Sequence, residues 1–228
     1  KEGQRDIVNE AFRVVRTNVE FMHNTKDGAN VIAVTSFNPG SGKSFVAMNL
    51  AMTLALKGRR ILVIDGDMRH GSTSAYVGSP DKGLSNYLNS GSTDPKSLIV
   101  KDPDSATLDI LPVGPVPPNP TELLESPRLE ELISELRPHY DYIFIDCPPI
   151  EIVADAQIID RHVDRTIFVI RAGLLERSML PELDRIYEEK KYRNMALILN
   201  GTPLSQSRHG YGYGYAYGGS YGYHYGEK

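Results

Sequence analysis

The chain of 228 residues has a single cysteine, Cys147. No disulfide can form within it, and a reducing compartment fits. The six histidines are scattered, and no Cys/His cluster has zinc-ligand spacing. No apolar run approaches the ~20 residues of a membrane-crossing helix, and no signal peptide is visible. Excess positive charge is also missing: the net charge is −4, which gives no reason to expect nucleic acid as a partner. Apolar residues make up 40%, enough for a core outside the C-terminal end, in one generous domain or two small ones. The first residue is Lys1 rather than methionine, so we expect a fragment, with a membrane-bound part upstream left open.

What is present is organised around Val31 to Leu54, VIAVTSFNPGSGKSFVAMNLAMTL. An apolar β-branched run leads into a glycine-containing turn, which ends in Gly42-Lys43-Ser44 and opens a helix. That is the grammar of a phosphate-binding loop. Backbone N–H groups of the turn and the helix dipole converge on one concavity. Gly40, Ser41, Gly42, Lys43, Ser44 and Phe45 are the expected nucleotide-binding residues, with Lys43 on the β/γ-phosphates and Ser44 on Mg²⁺. The usual pattern has a glycine five residues before Gly42; Phe37 stands there, and Gly40 is expected to supply the flexibility.

Asp6 to about Met22 reads as an amphipathic helix, with Ile7, Ala11, Val14, Val15, Asn18 and Met22 on one face and Glu10, Arg13 and Arg16 towards the other. From spacing alone that second face is a solvated one carrying a weak Glu–Arg pair. After the phosphate loop, Gly58 is a plausible C-cap, and RRILVIDGDMRH supplies a buried parallel strand, Ile61 to Ile64. Asp65 and Asp67 stand at its carboxyl end, where open α/β sheets bind ligands. Gly71 to Asp104 is turn-rich and polar, with a helical patch at Leu84 to Leu88 and little readable chemistry. Leu108 to Leu111 reads as a strand, and five prolines follow between Pro112 and Pro120. They suit a rigid linker or a polyproline ligand; the helix beginning near Pro120 favours an ordered connection within one domain. A helix over Leu129 to Leu136 precedes YDYIFIDCPP, a strand ending in Asp146, an acid placed to hold Mg²⁺. Cys147 reads as a small inert neighbour. Helices over Ile150 to Arg161 and Glu176 to Lys190 alternate with strands at Thr166 to Ile170 and Ala196 to Leu199. The alternation predicts an α/β fold: a P-loop-type, mostly parallel sheet with helices on both faces, over residues 1–204.

From Ser205 the composition changes. The last stretch holds seven of thirteen tyrosines: Tyr211, Tyr213, Tyr215, Tyr217, Tyr221, Tyr223 and Tyr225. They alternate with glycine, whose backbone entropy opposes an ordered strand, so residues 205–228 read as a flexible low-complexity tail.

SFNPGSGKS, LVIDGDMR and IFIDCPP stand in that order, and with the tyrosine-rich end they closely resemble the bacterial tyrosine kinases that control capsular and exopolysaccharide synthesis. GPVPPNPTELL and the EAFRVVR start share in the resemblance, which covers nearly the whole chain. It implies ATP and Mg²⁺ as cofactors. It implies that Lys43 binds phosphates, that Ser44, Asp67 and Asp146 hold the metal, and that Asp65 acts on the incoming tyrosine hydroxyl. Asn200, in LILNGTP, takes the position from which related ATPases read adenine. Glu10, Arg13 and Arg16 match the family's E-x-x-R-x-x-R oligomerisation motif, against the solvated-face reading. Further implications are autophosphorylation of the tail tyrosines between subunits of a ring of about eight, a transmembrane adaptor fused upstream or separate, and a cognate tyrosine phosphatase. The expected place is the cytoplasmic face of the bacterial inner membrane. A Gly-rich kinase loop, H-R-D and D-F-G are all missing, which excludes a eukaryotic-type kinase.

Two rivals remain. A partition- or division-site-type ATPase shares the fold, but it usually carries a signature lysine in K-G-G-x-G-K-[ST]; here Asn38 and Pro39 replace the lysine and first glycine. An adhesive Tyr/Gly-rich protein would explain the tail and leave all three motifs unused.

Overall fold

The computed structural model of the chain describes residues 2–22, 28–90, 93–151 and 154–202. Among these, seven strands form one sheet: β1 (Asn30–Ser36), β2 (Ile61–Asp65), β3 (Val100–Lys101), β4 (Leu108–Leu111), β5 (Tyr142–Asp146), β6 (Arg165–Arg171) and β7 (Ala196–Asn200). Their order is β3-β4-β2-β5-β1-β6-β7. Neighbours run parallel, except that β3 lies antiparallel to β4. The short edge strand β3 falls in the stretch read as turns and was not foreseen; two residues carry no periodicity to read. β1, β2 and β5 are buried along their whole length, because helices cover both sheet faces, and so their sequences are apolar without alternation.

Helices α1 (Glu2–Phe21) and α2 (Lys43–Ala55) pack on one face. On the other lie α3 (Leu84–Asn89), α4 (Pro120–Glu125), α5 (Pro127–Leu136), α6 (Asp155–Asp160) and α7 (Leu180–Glu188). α5 shows how the sequence builds this layer: Pro127 opens it, and Leu129, Leu132, Ile133 and Leu136 recur at i, i+3, i+4 and i+7 and are buried. Burying each contributes roughly 1.5–3 kcal/mol before the entropy of ordering it. α2 ends as expected. Gly58 takes φ +80°, its N–H meets the Ala55 carbonyl at 2.8 Å, and the Arg59 N–H meets that of Leu54 at 3.3 Å, which is a Schellman termination.

Three expectations need correction. α6 is shorter than Ile150 to Arg161, and a 3₁₀ turn at Arg177–Met179 precedes α7 where one helix was expected from Glu176. Helix α1 bears out only part of its expected face: Phe12 and Val19 are buried, Val15 and Met22 pack against the same cluster, and Ile7, Ala11 and Asn18 are exposed. Stacking on α2 selects the bulky Phe12–Val19 row, seven residues apart, over the wider stripe suggested by hydropathy. The tyrosine-rich tail lies outside the described residues.

Candidate active site

All the motifs meet at the carboxyl edge of the sheet. β1 ends at Ser36, and the loop after it returns as α2. Gly40 (φ +75°) and Gly42 (φ +89°) adopt the left-handed conformation, which a side chain would strain. Gly42 caps α2 without any side-chain bond, and no acid stands in the first turn, so the positive helix end faces the loop unopposed. The Ser36 and Ser41 hydroxyls both donate to the Asn38 carbonyl at 2.8 Å, bracing the turn. Phe37, where a glycine is usual, is buried in the core.

Lys43 emerges at the start of α2 and lies between two carboxylates. Its Nζ is 3.3 Å from Asp67 Oδ2 and 3.4 Å from Asp146 Oδ1. Burial works against the ammonium, but Asp146 and Asp67 together outweigh it and raise its pKa. Asp146 is fully buried; burial raises its pKa, against the pull of Lys43 and hydrogen bonds from Ser44 and Thr73. Asp67 also approaches His70, its Oδ1 lying 3.4 Å from Nδ1. Asp65, at the end of β2, has no cation paired with it among the described residues. Burial first, and the charge of Asp146 second, push its carboxyl up to about 6. Burial likewise raises the Cys147 thiol well above its ordinary value, in keeping with an inert neighbour.

The stretch after Arg69 carries chemistry that sequence reasoning missed. Thr73 Oγ1 donates to Asp146 Oδ2 at 2.8 Å. Ser74 gives both its N–H (2.6 Å) and its hydroxyl (2.7 Å) to Asp65 Oδ2. The signal was three hydroxyl residues in GSTS close after the acids, a composition that ordinary turns share. Arg69 NH1 pairs with the buried carboxylate of Asp155, and Thr121 donates to the same group at 2.9 Å. The proline-rich segment is thereby tied to the acidic loop, as an ordered connection rather than a free ligand.

Asn200 and Arg171 grip the loop from the far strands: Asn200 Nδ2 donates to the Ser41 carbonyl at 2.9 Å and Arg171 NH1 to that of Gly40 at 2.9 Å. A Cβ on Gly42 would come within 2.4 Å of Asn200 Nδ2, so only glycine permits this contact. The Phe45 ring packs edge-on against Phe12, centroids 5.8 Å apart. It lines a groove of about 410 Å³ with Asn200 and residues of α1.

A divalent ion fits these donors by their chemistry. Two buried carboxylates and a hydroxyl offer hard oxygen ligands, and Lys43 already places a cation between the acids. Among the described residues no three Asp, Glu, His or Cys side chains group as metal ligands; Mg²⁺ commonly takes one or two protein carboxylates and relies on water and phosphate oxygens for the rest.

Residues 29–170 match the family model of the AAA domain. The tyrosine-protein kinase YwqD of Bacillus subtilis (strain 168) is 36% identical over 209 residues, covering 91% of this chain and 87% of YwqD. The chain belongs to the bacterial tyrosine kinases. The solved kinase domain of the Escherichia coli tyrosine kinase ETK superposes on this kinase with a TM-score of 0.78 at 34% identity, over 91% of this chain and 80% of that one. The cell division ATPase MinD of Pyrococcus furiosus is a more distant match, with a TM-score of 0.62 at 28% identity over 75% of this chain and 71% of that one. The kinase differs from the rival's pattern at a defined point: Asn38, in the signature-lysine position, donates to Glu151 of its own chain at 2.9 Å.

On α1, Glu10 and Arg13 form an exposed pair at 3.0 Å. Arg16 does not share their face. It is partly buried, its NH1 donating to the Thr53 carbonyl of α2 at 3.1 Å. The seven tail tyrosines lie outside the described residues, and no described helix is long and apolar enough to cross a membrane.

Proposed function

We propose that this kinase transfers the γ-phosphoryl group of ATP to tyrosines of the C-terminal tail, chiefly that of a neighbouring subunit in a ring, and so regulates exopolysaccharide or capsule synthesis. The observation that carries this reading is the convergence of Lys43, Asp67, Asp146 and Asp65 beside the phosphate loop. Lys43, Ser44 and the N–H groups opening α2 bind the triphosphate, with Gly40, Ser41 and Gly42 shaping the loop. The groove beside Phe45 and Asn200 is the candidate seat of the adenine. Asp67, Asp146 and Ser44 would hold Mg²⁺, which when bound neutralises phosphate charge.

Asp65 is left for the acceptor. A free tyrosine hydroxyl has a pKa of about 10 and an ordinary Asp about 3.9. With Asp65 raised to about 6, the mismatch narrows to roughly four units. Asp65 orients the hydroxyl and collects its proton late, while positioning and the cations supply most of the acceleration. A transmembrane adaptor, fused or separate, and a tyrosine phosphatase complete the proposal, placed at the cytoplasmic face of the inner membrane.

Incubation with Mg-ATP and intact-mass measurement tests it. Mass gain in single-phosphate steps supports the kinase reading. Free phosphate without mass gain favours a switch ATPase, and neither product favours the adhesive protein.

A further inference from the structure

We propose that Ser74 is a positioning residue for the transfer step: it fixes the Asp65 carboxylate so that Oδ1 is the oxygen that meets the tyrosine hydroxyl. The inference rests on the role proposed for Asp65. The two oxygens of that buried carboxylate are treated unequally. Oδ2 accepts the Ser74 N–H at 2.6 Å and the Ser74 hydroxyl at 2.7 Å. Oδ1 is buried and has no hydrogen-bond partner among the described residues. The terminal torsion of an aspartate is broad and nearly two-fold, so without a clamp either oxygen could turn towards the acceptor. Two donors converging on Oδ2 remove that freedom and leave Oδ1 as the oxygen with acceptor capacity to spare.

The direction of the Ser74 hydroxyl is settled by its other contact. The Val113 N–H donates to Ser74 Oγ at 2.8 Å, and an N–H cannot accept, so the single hydroxyl proton is free to go to Asp65. Val113 is itself held, its carbonyl accepting from Ser85 of α3 at 2.9 Å and the preceding Pro112 carbonyl from Leu84 at 2.8 Å. Packing there leaves no slack: a Cβ on Gly83 would fall 2.1 Å from the Pro112 carbonyl oxygen. A continuous chain of contacts thus runs from α3 through Val113 and Ser74 to Asp65. Thr73 does the neighbouring job on Asp146. In the transfer, the tyrosine oxygen forms the new O–P bond as the bond to the ADP oxygen breaks, and the hydroxyl proton passes to Asp65 Oδ1.

A purely structural role is the competing account, since Ser74 opens a 3₁₀ turn (Ser74–Val77) and an acid there would stabilise the turn. The two accounts separate in steady-state kinetics, with a Lys43→Met chain bearing an intact tail as acceptor. Ser74→Ala removes the hydroxyl donor and keeps the N–H. We expect kcat to fall about 10-fold or more, the scale for losing a hydrogen bond to a charged group, with nucleotide affinity and the KM for acceptor unchanged. Ser74→Thr, which keeps the donor, should restore most of the rate. Should Ser74→Ala not fold, Ser74→Cys fills the same space with a weak donor and should behave as expected of Ala. The proposal is overturned if the donor-less variant turns over like the parent. It is also overturned if rate and nucleotide affinity fall together and Thr is no better than Ala. Asp65→Asn run alongside separates the layers. Transfer at the parental rate in that variant removes the role of Asp65 itself, whereas an inactive Asp65→Asn beside a fully active Ser74→Ala removes only the role of Ser74.

Discussion

Asp65 and Asp146 face each other as register partners at the carboxyl ends of β2 and β5, both fully buried, and among the described residues only Asp146 of the two has a cation beside it. This asymmetry divides their work: Asp146 stays with Lys43, while Asp65 is a poorly stabilised anion. Its folded pKa of about 6 lies above the ordinary 3.8, so the folded state holds that proton more tightly than the unfolded chain does. Stability therefore declines as pH rises through this window, and the deficit is full above it. A shift of about two units corresponds to about 3 kcal/mol. Asp65→Asn should accordingly be more stable than the parent near neutrality by about 1–3 kcal/mol, with the advantage vanishing towards pH 4, while phosphoryl transfer is lost. Urea unfolding at both pH values checks it; the same stability difference at each would contradict the assignment.

Lys43→Met should do more than stop the reaction. Removing a phosphate-binding cation is expected to lower autophosphorylation by roughly 10²-fold or more, the scale for one transition-state charge contact. It also leaves Asp67 and Asp146 buried and close together without their ammonium. Breaking such an arrangement from one side costs about 3–5 kcal/mol. Asp146→Asn should show a similar rate loss and a smaller stability loss, since one acid keeps the lysine. Thermal or urea unfolding of the two variants, ranked against each other, is the measurement, and a Lys43→Met chain as stable as the parent would refute the coupling.

How far the sequence led can be seen residue by residue. Strands such as Ile61–Asp65 and Tyr142–Asp146 were legible because parallel strands buried on both faces must be apolar throughout, and the acids that end them mark the ligand edge. Ser74 and Thr73 were not, because a hydroxyl in a turn acquires meaning only when the fold brings an acid within reach. Arg16 was misplaced for a related reason: periodicity gives the angle of a side chain about the helix axis but not which neighbour will cover it. The carbonyl of Thr53 was the missing fact. Asn200 matched a base-reading position by resemblance, and in the structure its side chain supports the loop carbonyl of Ser41.

That correction reshapes the test of self-association. Glu10 and Arg13 are exposed and free to meet a neighbour, so Glu10→Ala with Arg13→Ala should yield monomers on a sizing column with an unchanged thermal midpoint. Arg16→Ala removes a partly buried bond to α2 as well, and should lower stability by about 1 kcal/mol. If the double variant assembles like the parent, the exposed pair is an ordinary solvated one.

Transfer between subunits, as proposed, would link the two ends of the chain. The seven tail tyrosines are separated by small residues except for His224 between Tyr223 and Tyr225, so several hydroxyls can enter one site in turn without a fixed register. A ring would hold such a tail near the next active site at an effective concentration in the millimolar range. Each phosphate adds about −1.5 to −2 charges, so seven would add roughly −10 to −14. Mutual repulsion of tails carrying that charge should loosen the ring, making assembly and phosphorylation a cycle. The decisive mixture pairs a Lys43→Met chain with an intact tail and an active chain truncated after Ser207. Label should appear on the inactive chain, and the phosphorylated product should elute as a smaller species. An unlabelled inactive chain would rule out transfer between subunits. Label without a change in size would leave the transfer standing and remove only its link to disassembly.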